Sequence, residues 1–293
     1  MHLPAFQYQK PDTLREALAL LSTWKGPVFP LAGGTDLVVQ LRSQTFASEC
    51  LARDSEFLLV DLGSLAELRG VQLESNGLQI GALATHAQLA KAPLMLAEAP
   101  LLAWACARVG TPQTRTRGTL GGNVVHASPA ADAIPPLLVH EAILVICSPQ
   151  AKRRIALDRF LLGPYRTAKR NDEVLVAFSL SRLTGFRFGY QRLIRRQAVG
   201  IARIIVAAAL RLQGRTICEA RLACGAVTPV ACRLVGLEEW LRGKEATLAV
   251  CQEAGERAGR EAIARSGPRW STPYKQPVLA SLVRRALQQA MDS

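Results

Sequence analysis

The 293 residues, 49% apolar and 20% charged, suffice for two domains with a sizeable core and are too sparsely charged for a disordered polyelectrolyte. No run of about 18 apolar residues marks a membrane span, and Met1-His2-Leu3-Pro4 does not begin a secretory leader. The net charge of +13 is lopsided: 10 Lys and Arg face 12 Asp and Glu in residues 1–150, against 26 and 11 in residues 151–293. That basic half suits an ordinary solvated surface or an anionic partner, and no nucleic-acid motif accompanies it.

In chain order, Thr13-Leu14-Arg15-Glu16 is a capping-box pattern, with Leu14, Ala17, Leu18 and Leu21 at helical spacing before Gly26-Pro27. Val28 to Leu31 predicts a strand that runs straight into Ala32-Gly33-Gly34-Thr35-Asp36. Phe57 to Leu62 predicts a buried strand, and Ser64-Leu65-Ala66-Glu67 a second capping box opening a single turn or short helix. Val71 to Glu74 and Leu78 to Ile80 predict a hairpin around Ser75-Asn76-Gly77, since Asn-Gly accepts positive φ. Helical patterns cover residues 86–97 and 101–108. The stretch 110–132, rich in Gly and Pro, reads as a long functional loop. Ala142 to Cys147 predicts another strand.

Beyond residue 170 the pattern turns to successive strands: Glu173 to Leu180, Phe186 to Leu193, Ile201 to Leu212 and Cys218 to Ala226. Turns fall at Thr184-Gly185, Val199-Gly200 and Gln213-Gly214. Helices over 244–265 and 276–291 flank Gly267-Pro268. Strands followed by helices predict an α+β domain. The expected division is 1–178, with lobes 1–57 and 58–178, and then 179–293.

Two Gly-Gly segments carry candidate chemistry. After a strand, Gly33-Gly34 lets successive N–H groups converge into a nest for phosphate oxygens, with the Thr35 hydroxyl beside them. Thr119-Leu120-Gly121-Gly122-Asn123 offers a hydroxyl, two bare amides and a carboxamide. Either alone reads equally as a turn; two in one domain can grip both phosphates of a dinucleotide. Neither fits GxGxxG or GxxxxGK[ST], so a Rossmann or P-loop site is not supported. His2, His86, His126 and His140 lack ligand spacing, and His126 has no evident acid–base partner. The seven cysteines are scattered, odd in number and never in a CxxC pair. They read as small buried apolar residues of a reducing cytoplasm, without a disulfide framework, zinc site or cluster of their own.

These segments carry a family resemblance. LAGGTDL (31–37), IGALAT (80–85), GTPQTRTRGTLGGN (110–123), HASPAADAIP (126–135), DEVLVAF (172–178) and the arginine segment 192–196 run in order across nearly the whole chain. Together they resemble the FAD-binding medium subunit of the molybdenum hydroxylases, the group of xanthine dehydrogenase, carbon monoxide dehydrogenase and nicotinate dehydrogenase. The resemblance implies an α+β protein: a two-lobed FAD-binding domain of the vanillyl-alcohol-oxidase (PCMH) type, then a smaller C-terminal α+β domain of antiparallel strands and helices. It implies that Leu31, Ala32, Gly33, Gly34, Thr35 and Asp36, with Thr119, Gly121, Gly122 and Asn123, hold the FAD pyrophosphate. Asp132 matches an acidic residue that contacts the cofactor, and Leu175 a position beside the flavin ring. Arg192 stands where relatives carry a flavin-contacting lysine, and Val109 where some carry an aromatic. A guanidinium lacks the point-like ammonium geometry, and valine removes a stacking wall. From the residues alone, Asp132 equally caps a helix, Leu175 is a core strand residue, and Arg192 joins Arg195 and Arg196 in a solvated cluster.

The function so implied is electron transfer, most like that of xanthine dehydrogenase. A large molybdopterin subunit hydroxylates substrate, a small subunit relays electrons through 2Fe-2S clusters, and FAD on this chain passes them to NAD⁺ or another acceptor. The expected assembly is a dimer of heterotrimers, with no catalytic acid–base set and no metal on this chain. Relatives that reduce aromatic acyl-CoA thioesters carry an inserted cysteine-rich loop, which this chain lacks. The alternatives are a free-standing FAD-dependent reductase or oxidase of the same fold, and a non-enzymatic basic binding protein.

Overall fold

The structure, a computed structural model, describes residues 5–43, 56–75, 77–195 and 200–293. Residues 1–4, Cys50, Asn76 of the expected hairpin turn, Arg196, and Val199 of the expected 199–200 turn lie outside them.

Three parallel strands open the fold. β1 (Phe6–Gln9) and β2 (Val28–Leu31) flank β3 (Phe57–Asp61), in the order β1-β3-β2. Between β1 and β2 runs α1 (Leu14–Thr23), which buries Ala17, Leu18 and Leu21. The Thr13 hydroxyl caps it by accepting the Glu16 N–H at 3.2 Å. After β2 the chain bends through Gly33-Gly34 into α2 (Leu37–Leu41). The second capping box does not form. Residues 66–68 make one 3-10 turn without a side-chain cap. Instead, the Ser64 hydroxyl donates to the Pro11 carbonyl at 2.6 Å, and Glu67 accepts the Leu14 N–H, 53 residues away, at 3.0 Å. Both groups are spent on fastening this turn to the start of α1.

A five-stranded antiparallel sheet follows, in the order β4-β5-β10-β6-β7. β4 (Val71–Glu74) and β5 (Gly77–Gly81) form the expected hairpin. The helical run expected over 86–97 is two helices, α3 (His86–Lys91) and α4 (Pro93–Glu98), because Pro93 drives Ala92 into extended backbone. α5 (Pro100–Cys106) is next. The expected loop 110–132 in fact contains α6 (Pro112–Arg117) and α7 (Leu120–His126). Threonines cap both: Thr111 accepts the Thr114 N–H at 3.1 Å, and Thr119 the Gly122 N–H at 3.0 Å. α8 (Ile134–Val139) leads to β6 (Ile143–Cys147) and β7 (Lys152–Ala156). A short helix, α9 (Leu157–Phe160), and a small hairpin, β8 (Leu161–Gly163) with β9 (Arg166–Thr167), precede β10 (Val174–Leu180). Pattern alone groups β10 with the later strands, but it pairs with β5 and β6 at the centre of this sheet.

β11 (Phe186–Ile194), β12 (Ala202–Gln213), β13 (Thr216–Gly225) and β14 (Cys232–Arg233) form an antiparallel sheet in sequential order. α10 (Val235–Leu241), α11 (Leu248–Ser266) and α12 (Thr272–Asp292) complete the chain. The run Ile204 to Leu210 has no polar alternation because both of its faces are covered. Ile205, Ala207 and Ala209 join the core around α5, α7 and α8, whereas Ile204, Val206, Ala208 and Leu210 join the core of α10, α11 and α12. Among the described residues, no helix is long and apolar enough to cross a membrane.

Candidate functional site

The loop of the first Gly-Gly pair touches Arg117, Gly118 and His126, which flank the second pair. A β-carbon on Gly33 would stand 2.0 Å from the Arg117 carbonyl oxygen, so only glycine lets this loop touch the end of α6. Gly34 has φ +72°, the left-handed region, and turns the chain toward α2. The Asp36 carboxylate lies 3.7 Å from His126 Nε2, at the far end of α7. Gln40 Nε2 and His126 Nδ1 are 3.4 Å apart, and the His126 ring meets Tyr165 edge-on at 5.1 Å. No local pattern points from His126 to these polar partners, since Gln40 is 86 positions away and Asp36 farther still.

The amides of the two segments differ. Among the described residues, the N–H groups of Gly33, Gly34, Thr35 and Asp36 make no hydrogen bond. In 120–123 each one is used: Leu120 donates to Ala84 O at 2.9 Å, Gly121 to Ala82 O at 2.8 Å, Gly122 to Thr119 Oγ1, and Asn123 to Thr119 O at 3.0 Å. The two bare amides expected there are therefore absent. Gly121 is needed for another reason: a β-carbon on it would come within 2.8 Å of both Ala82 O and Ala82 Cβ. One polar group in this segment does stand free, since the buried Asn123 Oδ1 has no hydrogen-bond partner.

The other candidates lie outside this pair of segments. Val109 and Gly110 direct their carbonyls to the Arg115 guanidinium, each at 3.0 Å. Leu175 is buried on β10, where the pairing with β6 is irregular, in the same core as Leu120 and Val124. Asp132 does not cap α8; Ala133 holds that position without a side-chain bond. Asp132 instead accepts two hydrogen bonds from Arg192, at 2.5 and 3.1 Å, and Arg192 also donates to Gly200 O at 2.7 Å. Both side chains are under one-tenth exposed, so Arg192 belongs to no solvated cluster. Burial pushes the Asp132 carboxyl up, against the pull of Arg192 and Arg108. The Tyr190 phenol nearby is raised well above its usual value by burial and then by the Asp132 charge.

His86 connects the two groups. Its ring stands beside Gly118, its Nδ1 is 3.5 Å from Cys106 Sγ, and the buried Cys106 thiol is raised by burial and by Asp132. Burial and Arg115 lower His86 itself to about 4. Glu173, in the DEVLVAF segment, is a fastening rather than a site residue. Arg153 grips its carboxylate at 2.7 and 2.9 Å and the Arg170 N–H donates at 2.7 Å, bonds that hold the carboxyl below its ordinary range. Among the described residues, no group of three His, Cys, Asp or Glu could hold a metal ion.

Residues 4–181 match the family described as the FAD binding domain in molybdopterin dehydrogenase, and residues 190–290 match the CO dehydrogenase flavoprotein C-terminal domain. The chain belongs to this family of FAD-binding molybdenum hydroxylase subunits. It is 32% identical to the carbon monoxide dehydrogenase medium chain of Hydrogenophaga pseudoflava, over 98% of this chain and 97% of that relative. It is 29% identical to the xanthine dehydrogenase FAD-binding subunit of Escherichia coli O157:H7, over 97% and 95%. The solved carbon monoxide dehydrogenase of H. pseudoflava that lacks its Mo-pyranopterin moiety superposes with a TM-score of 0.88 at 31% identity. That likeness covers 100% of this chain and 99% of the other. The α+β architecture, an FAD-binding domain followed by a C-terminal domain, is thus the architecture of molybdenum hydroxylase flavin subunits.

Proposed function

We propose that this chain is the electron-transfer flavin subunit of a heteromeric molybdenum hydroxylase, with a large molybdopterin subunit and a small 2Fe-2S subunit as partners in a dimer of heterotrimers. FAD supplies the chemistry: it accepts electrons singly and releases them as a pair to NAD⁺ or another acceptor. The chain's own residues bind and orient it. One observation carries the reading: a row of unspent amides, Gly33 to Asp36, and in the second segment a buried Asn123 carboxamide oxygen that lacks a partner. The buried oxygen costs stability until a ligand satisfies it, and the amides, on part-exposed backbone, are open to one. The amides suit phosphate oxygens, and the carboxamide oxygen suits a hydroxyl or amide donor.

In this reading Leu31, Ala32, Gly33, Gly34, Thr35 and Asp36 hold the pyrophosphate from one side. Thr119, Gly121, Gly122 and Asn123 shape the other, with Asn123 as the ligand-facing member. Asp132 and Arg192, paired to each other, sit toward the flavin ring with Leu175 and Val109. Of the two named chemistries, carbon monoxide and xanthine oxidation, the identities of 32% and 29% separate neither. Fluorescence titration tests the site: the chain should bind FAD more tightly than FMN. Asn123→Ala should weaken FAD by about tenfold while leaving the FAD-free stability unchanged or raised, because the lost oxygen had no partner. Equal affinity for both flavins in the native chain would sink the pyrophosphate assignment.

A further inference from the structure

Two cysteines, which the sequence presents as small buried apolar residues, face each other on neighbouring strands of one sheet. Cys224 on β13 and Cys232 on β14 are directly paired in register, with their sulfurs 4.0 Å apart. Cys224 is fully buried and Cys232 is part-exposed, so a small reagent reaches only the second. The Thr228 hydroxyl lies 3.8 Å from Cys232 Sγ, but its proton goes to the Val230 carbonyl at 2.6 Å. The Cys224 thiol stands within hydrogen-bond reach of the Cys232 sulfur and can donate to its thiolate. That hydrogen bond lowers the Cys232 thiol below its ordinary value and, with burial, raises Cys224. Arg265 favours the Cys232 thiolate and Glu261 opposes it. Cys106 and Cys251 are the contrast, each buried and pushed upward by that burial.

We propose that Cys224 and Cys232 are a dithiol that hydrogen peroxide oxidises to a disulfide, Cys232 reacting first and Cys224 resolving. The Cys232 thiolate attacks one peroxide oxygen; the S–O bond forms, the O–O bond breaks, and the departing hydroxide takes a proton to leave as water. The Cys224 sulfur then displaces that oxygen. The S–S bond forms, the S–O bond breaks, and the second hydroxide leaves as water with the Cys224 proton. Two thiols lose two electrons in all, and one peroxide becomes two waters. Directly opposed antiparallel residues stand about 4.5–5.5 Å apart at Cα, within the reach of a disulfide, so the backbone need not move far.

The location gives the pair a consequence. Between the cysteines, Ala226 donates its N–H to the Pro129 carbonyl at 2.8 Å and accepts from Lys275 Nζ at 2.5 Å. The disulfide would cinch the base of the connection that braces residues 126–135, the segment holding His126 and Asp132.

The test uses the full chain loaded with FAD, treated with hydrogen peroxide, alkylated with iodoacetamide and mapped by mass spectrometry. The expected product is one reducible Cys224–Cys232 cross-linked peptide pair. Alkylation of Cys232 should fall by more than about tenfold while that of Cys218, also part-exposed, changes less than about twofold, and dithiothreitol should restore both. In Cys224→Ser the same treatment should carry Cys232 on to sulfinic acid. If that variant does not fold, the native map decides alone. Native Cys232 that stays as alkylatable as Cys218, accumulates as sulfinic acid, or links to a different cysteine overturns the proposal.

Discussion

The loop 32–36 and the helix start 119–123 share a sequence chemistry, two glycines with a threonine and a small polar residue, and the fold uses them in opposite ways. At 33–36 the glycines bring backbone up against the end of α6 and leave four amides open. At 120–123 they bring backbone up against Ala82 to Ala84, which takes the amides of Leu120 and Gly121, while Thr119 takes those of Gly122 and Asn123. A Gly-Gly pair therefore announces that something comes close to the main chain, and the rest of the fold decides whether that is a ligand or the protein itself. On the second segment it is the side chain of Asn123 whose buried oxygen is left without a partner.

The comparison can be broken most directly at Gly33. Gly33→Val must push the loop off the Arg117 carbonyl, and FAD affinity should fall by about 100-fold or more in a fluorescence titration, about 3 kcal/mol. The second test is pH. His86, beside Gly118 at the end of α6, and His140, whose Nδ1 is 3.0 Å from Ser181 O, are both lowered by burial to about 4. Between pH 6.5 and 4 the unfolded chain takes up protons that the folded chain refuses. Stability should hold above pH 6.5 and fall as pH drops through that window, by at most about 3 kcal/mol per histidine. Urea midpoints of the FAD-free chain should show this decline, and His86→Gln should shrink it; a flat profile from pH 7 to 4.5 contradicts the burial argument.

Gly121→Ala is the sharper contrast with Gly33. It should cost about 1–3 kcal/mol of FAD-free stability through overpacking against Ala82, with affinity per folded molecule little changed. The reverse pattern, intact stability and lost binding, would make 120–123 a second nest after all. Smallest is Thr119→Val, which removes the cap of α7 and should lower the urea-derived stability by about 1 kcal/mol.

Local signals were legible where the structure is local. Val28 to Leu31 and the capped start of α1 follow from runs and caps that a few residues define. β1 was hidden because Phe6 to Gln9 is exposed throughout, and its only advertisement is a parallel partner fifty residues on. α6 and α7 were hidden because Gly, Thr and Pro read as loop, while their caps and the bonds to 82–86 make them helices. Of the candidate site, the two glycine segments stood out in the sequence. The Asp132–Arg192 pair, 60 positions apart, and the contact of Asp36 with His126 did not, because nothing near either residue selects its partner.

β12 feeds alternate side chains into two different cores, and this has a consequence for how the chain can be divided. A cut in the turn between β10 and β11 would leave the first fragment with α8 uncovered and the second with the Ile205, Ala207 and Ala209 face bare. Neither half would be a finished object. Two such fragments made together should find each other through these complementary apolar surfaces and rebuild one particle, whereas either made alone should aggregate. The strand acts as a party wall, and the tenants on both sides depend on it.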